Sequence, residues 1–338
     1  MNNRDQQIDA LRGFAILLVV LGHCIQFSGI DFDNNFLFRL IYSFHMPLFM
    51  FISGYVSFFS TWKGFATFKN KFFLLLVPFF SWGLISFFKL VILNKIGFYG
   101  VFDFFFHLVL YPDNEGLWFL WVLFLINLLI FFVRSTRINL EVGLAFFFFL
   151  INFAFLRWPQ IGVFGLGLLK YHLFYFLLGL FYCRTRDRYK HFYNILIYSS
   201  FIPFLVMSLF WFRLHPPLFI INLNLSIIFT KLSWLCYQYF SAVMGIASAI
   251  CLIKIIYRFS YCTTDILKNF GVITLEIYAL HFYIFSLWFY IFDYMRPTPK
   301  ITSVFFATLL STILMIILMK KSPIISFLFF GQKKRYVK

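Results

Sequence analysis

Apolar segments of about 20 residues recur from one end of this 338-residue chain to the other, separated by short basic or turn-rich connections. Charged residues make up 12% of the chain, about half the fraction that a soluble domain needs to cover its surface. No polar stretch is long enough to form a soluble domain. The sequence therefore predicts an all-α, polytopic transmembrane helical bundle, with residues 1–338 forming a single integral-membrane domain and no fused soluble domain.

Hydropathy and helix breakers predict about ten spans. Two segments resist assignment, since 97–111 is apolar but short, and 214–237 contains prolines and asparagines that weaken a spanning helix. We expect 214–237 to be a long loop with an interfacial or re-entrant piece. The predicted spans are 8–28, 36–59, 70–94, 116–133, 140–157, 168–183, 192–213, 238–257, 271–292 and 301–319.

The loop charges orient these spans. Cytoplasmic loops of membrane proteins carry an excess of Lys and Arg, and applying this rule to ten spans predicts that both termini are cytoplasmic. The net charge of +17 is thus a topology signal, and we expect no binding of nucleic acid. Asp5 and Asp9 dilute the positive region that a cleavable signal peptide requires, so we expect the first helix to be retained.

Metal and transport sites find little support in the sequence. The five cysteines have no CxxC spacing and the histidines do not cluster, so we expect neither a metal site nor a disulfide framework. Secondary transporters often carry paired interrupted helices in two corresponding halves, and that pattern is missing. A transporter or flippase for a lipid-linked or sugar substrate stays the alternative interpretation, because such proteins also bury ionisable side chains.

The first predicted helix concentrates ionisable side chains, which are costly inside a bilayer. Arg12 and His23 stand eleven residues apart, within ~20° of three full turns, and Asp9 lies within ~60° of both. His23 therefore shares a face with Arg12 and sits ~16 Å deeper. Alternatively, Arg12 snorkels to lipid headgroups beside Asp9 while His23 is a packing residue. A deep histidine cannot snorkel, which favours a functional pair.

The second helix carries His45 just before a proline and Ser53 just before a glycine. Proline kinks or starts a helix, and small residues permit close approach of a neighbouring helix or a ligand. A kinked helix with a small packing face explains this pattern equally well. The short preceding loop would allow His45 to approach His23.

A third motif lies near the end of the chain, where Thr274 and His281 are seven residues apart and share a helical face, with Tyr278 on its flank. Glu276 points ~140° away from His281, so we expect it to pair with another helix or to be protonated. His281 is a candidate functional residue, with a structural role as the alternative.

Three features carry weaker signals. Trp118 and Tyr171 lie near the ends of predicted spans, where aromatic residues usually form an interfacial belt. The basic cluster 184–188 indicates a topology determinant or a contact with anionic lipids. The same charges could help to attract a polyanionic cytoplasmic ligand.

In this order, the motifs resemble the acyltransferase-3 family of integral-membrane O-acyltransferases, and the resemblance spans nearly the whole chain. The first two motifs together are the most specific. The residues that carry it are Ile8 to Gly13 with His23, Phe44 to Phe49, Phe51 to Tyr55, Trp118 to Leu120, Tyr171 to Gly179, Gly271 to His281, and Lys320 to Pro323.

The resemblance implies transfer of an acyl group, usually acetyl, from cytoplasmic acyl-CoA to a hydroxyl of a bacterial surface polysaccharide or its lipid-linked sugar precursor. It implies that Arg12 and His23 are essential, that acyl-CoA is a co-substrate with no permanently bound cofactor, and that the protein lies in the bacterial inner membrane. Family members often have arginines before the third-helix proline. Lys69 and Lys71 stand there in this chain and lack the bidentate fork of arginine.

Acyl transfer to an alcohol needs a base for the hydroxyl proton and stabilisation of the developing oxyanion. The predicted catalytic residues are His23 as general base, Arg12 and Asp9. Arg12, Lys69 and Lys71 are expected to hold the CoA phosphates, with the basic cluster 184–190 as an additional candidate. The sequence shows no recognisable Ser-His-Asp or Cys-His constellation, which favours direct transfer over an acyl-enzyme on Ser or Cys. An acyl-histidine relay is the alternative. The acceptor sugar, the length of the acyl chain and the oligomeric state stay open. The predicted substrate-binding or supporting residues are His45, Ser53, Trp118, Tyr171, Glu276, Tyr278 and His281.

Overall fold

The computed structural model describes residues 5–113, 116–158, 162–223 and 226–332. Within these ranges the chain forms sixteen α-helices, two short 3-10 turns and no strand, which confirms the all-α prediction. The helices are α1 (Gln6–Gln26), α2 (Phe36–Tyr42), α3 (His45–Phe58), α4 (Phe65–Ile92), α5 (Val101–Leu110), α6 (Trp118–Arg134), α7 (Leu140–Arg157), α8 (Leu166–Thr185), α9 (Lys190–Ser199), α10 (Phe201–Leu209), α11 (Leu218–Ile221), α12 (Ile227–Phe259), α13 (Tyr261–Val272), α14 (Thr274–Ile291), α15 (Pro297–Met319) and α16 (Pro323–Phe330).

Eight helical segments of the described chain are long and apolar enough to cross a bilayer. The pair α9 and α10, bent by 43° at a short break, makes a ninth if it counts as one span, and the apolar α6 is shorter. A second apolar stretch, Phe98–Leu110, is likewise too short to count as a span. Eight or nine candidate spans in the described residues confirm a polytopic membrane bundle, and the count of ten stays a prediction. The ends of the chain, residues 1–4 and 333–338, lie outside the described residues, so the cytoplasmic location of the termini stays a prediction.

Two parts of the span prediction were wrong in detail. The helix predicted at 238–257 begins much earlier, at Ile227, because the apolar residues after Ser226 continue it. The segment predicted as the loop before residue 271 contains α13, which Ser260 caps by accepting a hydrogen bond from the Thr263 amide at 3.3 Å. The α13 sequence is too short and polar for a hydropathy window to detect. Asn224, one of the residues behind the loop prediction, lies outside the described residues.

The chain divides into two compact units. The first comprises Met1–Tyr55 and Tyr182–Thr312, and the second comprises Val56–Phe181 and Ile313–Lys338. In the second unit, Trp82 donates from Nε1 to the Phe329 carbonyl at 2.9 Å, and Trp121 donates to the Phe164 carbonyl at 2.9 Å. Such bonds let large aromatic residues be buried without leaving an indole N–H unpaired.

In the first unit, α1 crosses α13 with the two backbones in contact. Asp5 caps α1 by accepting hydrogen bonds from two amides of its first turn. A Cβ atom added to Gly13 would lie 1.8 Å from the carbonyl oxygen of Leu267, and one added to Gly271 would lie 1.9 Å from the carbonyl oxygen of Asp9. Only glycine fits at either position, because any side chain would push the helices apart. This crossing fixes the register between α1 and the segment that leads into α14.

Candidate active site

The imidazole rings of His23 on α1 and His281 on α14 meet inside the first unit. Their ring centroids are 5.3 Å apart and the planes are tilted by 34°. His281 is buried, whereas His23 is half-buried. Each histidine lies ten residues after a crossing glycine, Gly13 on α1 or Gly271 at the end of α13, and His23 stands ~15 Å along α1 from this contact. The crossing therefore brings the two rings to one level.

Tyr42, the last residue of α2, orients the His23 ring. Its hydroxyl oxygen lies 3.3 Å from Nδ1 of His23 and also hydrogen-bonds to Oε1 of Gln26. The amide oxygen of Gln26 only accepts, so the tyrosine proton goes to Gln26 and the tyrosine oxygen accepts from Nδ1–H of His23. In this tautomer the lone pair of His23 is on Nε2, which is the state that a general base requires.

His45 and His281 are held by their own helices. Nδ1 of His45 lies 2.9 Å from the Ile41 carbonyl oxygen, and Nδ1 of His281 lies 3.0 Å from the Ile277 carbonyl oxygen. A carbonyl cannot donate, so Nδ1 carries the proton in both rings, and Nε2 of each neutral imidazole bears a lone pair. Nε2 of His281 is buried without a hydrogen-bond partner in the described part of the chain.

His45 joins the cluster through Tyr42 and does not touch His23 directly. The Tyr42 and His45 rings meet edge to face with centroids 4.7 Å apart. The guanidinium of Arg213 lies over the other side of Tyr42, with Cζ 5.3 Å from the ring centroid. The prediction that the second-helix histidine approaches His23 therefore holds with one tyrosine in between. A cation over this ring adds positive potential beside His23.

Phenylalanine rings pack around the His23 side chain. Phe285 is parallel to it within 5°, with centroids 6.4 Å apart, and Phe27 and Phe282 lie 6.1 and 6.0 Å away. These rings exclude water from one side of the imidazole. In such a low-dielectric environment, directed hydrogen bonds are stronger than in water.

Arg12 and Asp9 form an ion pair one turn apart on α1. Nη1 of Arg12 lies 3.5 Å from Oδ1 of Asp9, and the Asp9 side chain is 4% exposed against 28% for Arg12. This pairing was part of the alternative interpretation of Arg12, and it lies at the opposite end of the helix from His23. The guanidinium keeps part of its surface open, so a ligand phosphate could reach it.

Three further predicted residues of the first unit take different positions. The Ser53 hydroxyl donates to the Phe49 carbonyl of its own helix at 2.8 Å and lies eight residues beyond His45, outside the histidine cluster. Tyr278 is buried, with its ring centroid 6.1 Å from that of His281. Glu276 is also buried, five residues before His281 on α14.

The second unit holds the other four predicted residues. Trp118 stacks on His172 with centroids 4.8 Å apart, and Tyr171 packs against the same histidine at 5.1 Å. The structure thus groups Trp118 and Tyr171 around an imidazole that the sequence analysis did not select. Lys69 is exposed and Lys71 half-buried near the start of α4.

Sequence reasoning missed Tyr42, Gln26 and Phe285. Gln26 follows His23 by one helical turn, which is a detectable signal, since residues three apart are neighbours on a helix. Tyr42 and Phe285 reach the imidazole from other helices. Gly22 makes the tyrosine contact possible, because a Cβ there would lie 2.8 Å from the Tyr42 ring.

Comparison with known proteins gives one extended match and two short ones. A family model described as "Acyltransferase domain" matches residues 5–320. Nodulation protein NolL of Sinorhizobium fredii and that of Mesorhizobium japonicum are each 50% identical to this chain over 60 residues. Those residues are 17% of this chain and span only 16% of the length of each relative. No solved structure matches the chain.

Proposed function

The chain belongs to the acyltransferase family whose model covers residues 5–320, and from that premise we propose that it is a membrane O-acyltransferase with His23 as the general base. The observation that carries this proposal is the chain of hydrogen bonds from His23 through Tyr42 to Gln26. It holds the proton on Nδ1 and leaves Nε2 able to accept one. Acyl transfer to an alcohol depends on such a group.

In the proposed reaction, Nε2 of His23 takes the proton of an acceptor hydroxyl while the hydroxyl oxygen attacks the carbonyl carbon of an acyl thioester. The carbon–oxygen bond forms, the carbon–sulfur bond breaks, and the thiolate receives the proton back from the imidazolium. The products are an ester and a free thiol. The hydrogen bond to Tyr42 stabilises the transient imidazolium, because the cation strengthens the bond that Nδ1 donates.

His281 is a second basic site beside the first. Its Nε2 lone pair is buried next to the His23 ring, and no other group in the described residues bonds to it. It can share the proton that His23 takes, which lowers the cost of placing a charge in an apolar cavity. We assign His281 a role as proton-sharing partner and His45, which contacts Tyr42, a role in positioning.

The proposed donor is acyl-CoA, with acetyl-CoA as the first choice, approaching from the end of α1 that carries Arg12. That end is assigned to the cytoplasm of a bacterial inner-membrane protein. The ~16 Å rise from Arg12 to His23 suits a donor whose anionic head and reactive thioester are joined by a long arm. Lys69 and Lys71 are proposed as additional phosphate ligands. The acceptor class is a hydroxyl of a surface polysaccharide or its lipid-linked precursor.

Purified protein in lipid nanodiscs, mixed with acetyl-CoA and a glycan acceptor fraction, tests the function. We expect release of free CoA thiol that depends on the acceptor, together with acceptor molecules heavier by one acyl group in mass spectrometry. Omitting the acceptor separates transfer from hydrolysis. If neither acetyl-CoA nor longer acyl-CoA supports acceptor-dependent thiol release, the proposed function is wrong.

A further inference from the structure

A cavity of about 190 Å³ opens beside the N-terminal end of α1, well away from the histidine cluster. Three cations line it, Arg186 just after α8, Lys190 at the start of α9 and Lys254 on α12. Apolar residues of α1, α3 and α12 form its deeper wall. Neither Arg12 nor the lysines of α4 belong to this lining.

In the part of the chain that the structure describes, two of the three cations have no carboxylate partner. Within the described residues no Asp or Glu lies within salt-bridge distance of Lys190 or Lys254, and Lys254 donates only to the Asn194 amide oxygen at 3.3 Å. Lys254 also lies close enough to Arg186 and Lys190 for their like charges to repel. Crowded cations of this kind are stabilised by a polyvalent anion.

The two carboxylates that line the cavity, Asp5 and Asp187, pair with Arg186 and not with the two lysines. Asp5 accepts the N-terminal hydrogen bonds of α1, accepts from the Tyr55 hydroxyl at 3.0 Å and lies 3.7 Å from Nη1 of Arg186. Arg186 also donates to the Tyr55 hydroxyl. Asp187 is exposed and pairs with Nε of Arg186 at 3.7 Å. These partners hold Arg186 in place in the lining of the cavity. Lys190 and Lys254 are the lining cations that a ligand can bind.

Two helices connect the cavity with the histidines. Leu11 of α1 lines the cavity and lies twelve residues before His23, a rise of ~18 Å. Tyr55 of α3 lines it ten residues after His45, a rise of ~15 Å. Along α1, the cavity thus stands about one extended phosphopantetheine arm from the proposed base His23, and α3 runs from the cavity to His45 over a similar length. A phosphate held here would place a thioester near His23.

We infer that this cavity binds the phosphate-bearing nucleotide end of the acyl-CoA donor, with Lys190 and Lys254 as its phosphate ligands. The inference rests on the proposed function and deepens it by naming a donor site. An anionic lipid headgroup offers the same phosphate chemistry. Its acyl chains would lie in the bilayer, whereas CoA would extend an arm along α1.

The test measures binding of CoA, dephospho-CoA and pantetheine to purified protein in phosphatidylcholine nanodiscs. The variants are Lys190→Gln, Lys254→Met and the double variant, with Lys231→Met on the same helix as the matched control, since that exposed lysine does not line the cavity. Each single variant should weaken CoA binding about tenfold, as expected for loss of one charge-assisted hydrogen bond. Pantetheine binding and the control should stay within about twofold of wild type.

Unchanged CoA affinity in the double variant would overturn the assignment, as would equal losses for CoA and pantetheine. A second experiment, in nanodiscs that contain phosphatidylglycerol, distinguishes binding of a lipid headgroup from binding of CoA. If the wild type retains lipid phosphate that the double variant releases, and CoA affinity is the same in both, the cavity binds a headgroup and the donor assignment is wrong.

Acyl-transfer kinetics separate the failure of this inference from failure of the proposed function. The double variant should raise the KM for acyl-CoA with kcat largely retained, because both lysines line a cavity at the end of α1 opposite His23 and bind the donor without touching the reacting atoms. If the wild type transfers acyl groups but the variants bind CoA normally, only the cavity assignment fails. If the variants lose CoA affinity while the wild type transfers nothing, only the proposed function fails.

Discussion

His23 on α1 and His281 on α14 face each other with ring centroids 5.3 Å apart. His23 lies ten residues after Gly13 and His281 ten residues after Gly271, and at these two glycines the backbones of α1 and α13 touch. The placement of the pair therefore depends on the packing contact between α1 and α13, which lies ~15 Å along α1 from His23. Displacing the crossing at Gly13 and Gly271 by one residue would rotate each imidazole by about 100° about its helix axis. The crossing is as much a part of the site as the histidines are.

Replacing Gly271 with alanine should therefore destabilise the protein and reduce its activity together. The new Cβ would lie 1.9 Å from the Asp9 carbonyl oxygen, on backbone that cannot rotate away. Overpacking of this kind costs about 1–3 kcal/mol. Thermal unfolding in detergent measures the loss. Gly167→Ala on α8 is the matched control, because nothing lies within 4 Å of its added Cβ. Equal stability of the two variants would contradict the close contact between α1 and α13 at Gly271.

Removing the hydroxyl of Tyr42 tests its positioning role. Tyr42→Phe keeps the ring that packs against Phe38 and His45 but deletes the hydrogen bonds to His23 and Gln26. We expect kcat to fall about fivefold to tenfold with little change in the KM for the donor, since the bond to His23, worth about 1 kcal/mol, is the one that supports the imidazolium.

The control for this variant is Tyr237→Phe, which removes a hydroxyl that donates to the Met207 carbonyl at 2.6 Å outside the cluster. A purely structural role would give both variants the same kinetics and the same loss of stability. A fall in kcat confined to Tyr42→Phe assigns the tyrosine to the base.

His281→Asn should slow transfer less than loss of His23 does. Asparagine can still donate to the Ile277 carbonyl as Nδ1 does, but it has no lone pair at the position of Nε2. Single-turnover kinetics should show a slower chemical step with unchanged acyl-CoA affinity. His191→Asn, at an exposed position on α9, is the control. Wild-type rates in His281→Asn would leave the proton-sharing role without support.

Arg12 should act on donor binding more than on the chemical step. Arg12→Gln removes the charge that faces Asp9 at 3.5 Å, and we expect a higher KM for acyl-CoA with partial rescue by Arg12→Lys, which restores charge without the fork. The same assay on Lys69→Gln and Lys71→Gln tests the two lysines of the second unit that are proposed, from the family resemblance, to bind the CoA phosphates. A fall in kcat with an unchanged KM in Arg12→Gln would contradict a donor-binding role.

The sequence revealed the parts of the site that follow from one helix at a time. Helical periodicity was sufficient to place Asp9 beside Arg12 and to put Arg12 and His23 at opposite ends of α1. Hydropathy found the spanning segments because each must be apolar on its own. It did not find α13, whose polar, short sequence is stabilised by packing on α1.

The relations between helices could not be predicted from single segments. Nothing in the local pattern around Gly271 indicates that its partner is the carbonyl of Asp9, and nothing around Tyr42 indicates that its hydroxyl bonds to His23. Register between distant helices is set by shape complementarity, which a pattern of apolar residues leaves undetermined. The cationic cavity was anticipated only as a basic cluster, since Lys254 reaches it from a helix remote in sequence.

The most direct test of the central claim is the acceptor-dependent release of CoA thiol by purified His23→Ala in nanodiscs. Loss of the general base should reduce the rate by a factor of about 10² or more, while thermal stability and CoA affinity stay near wild type. A variant that folds, binds CoA and transfers acyl groups at a rate close to wild type would contradict the assignment of His23 as the base.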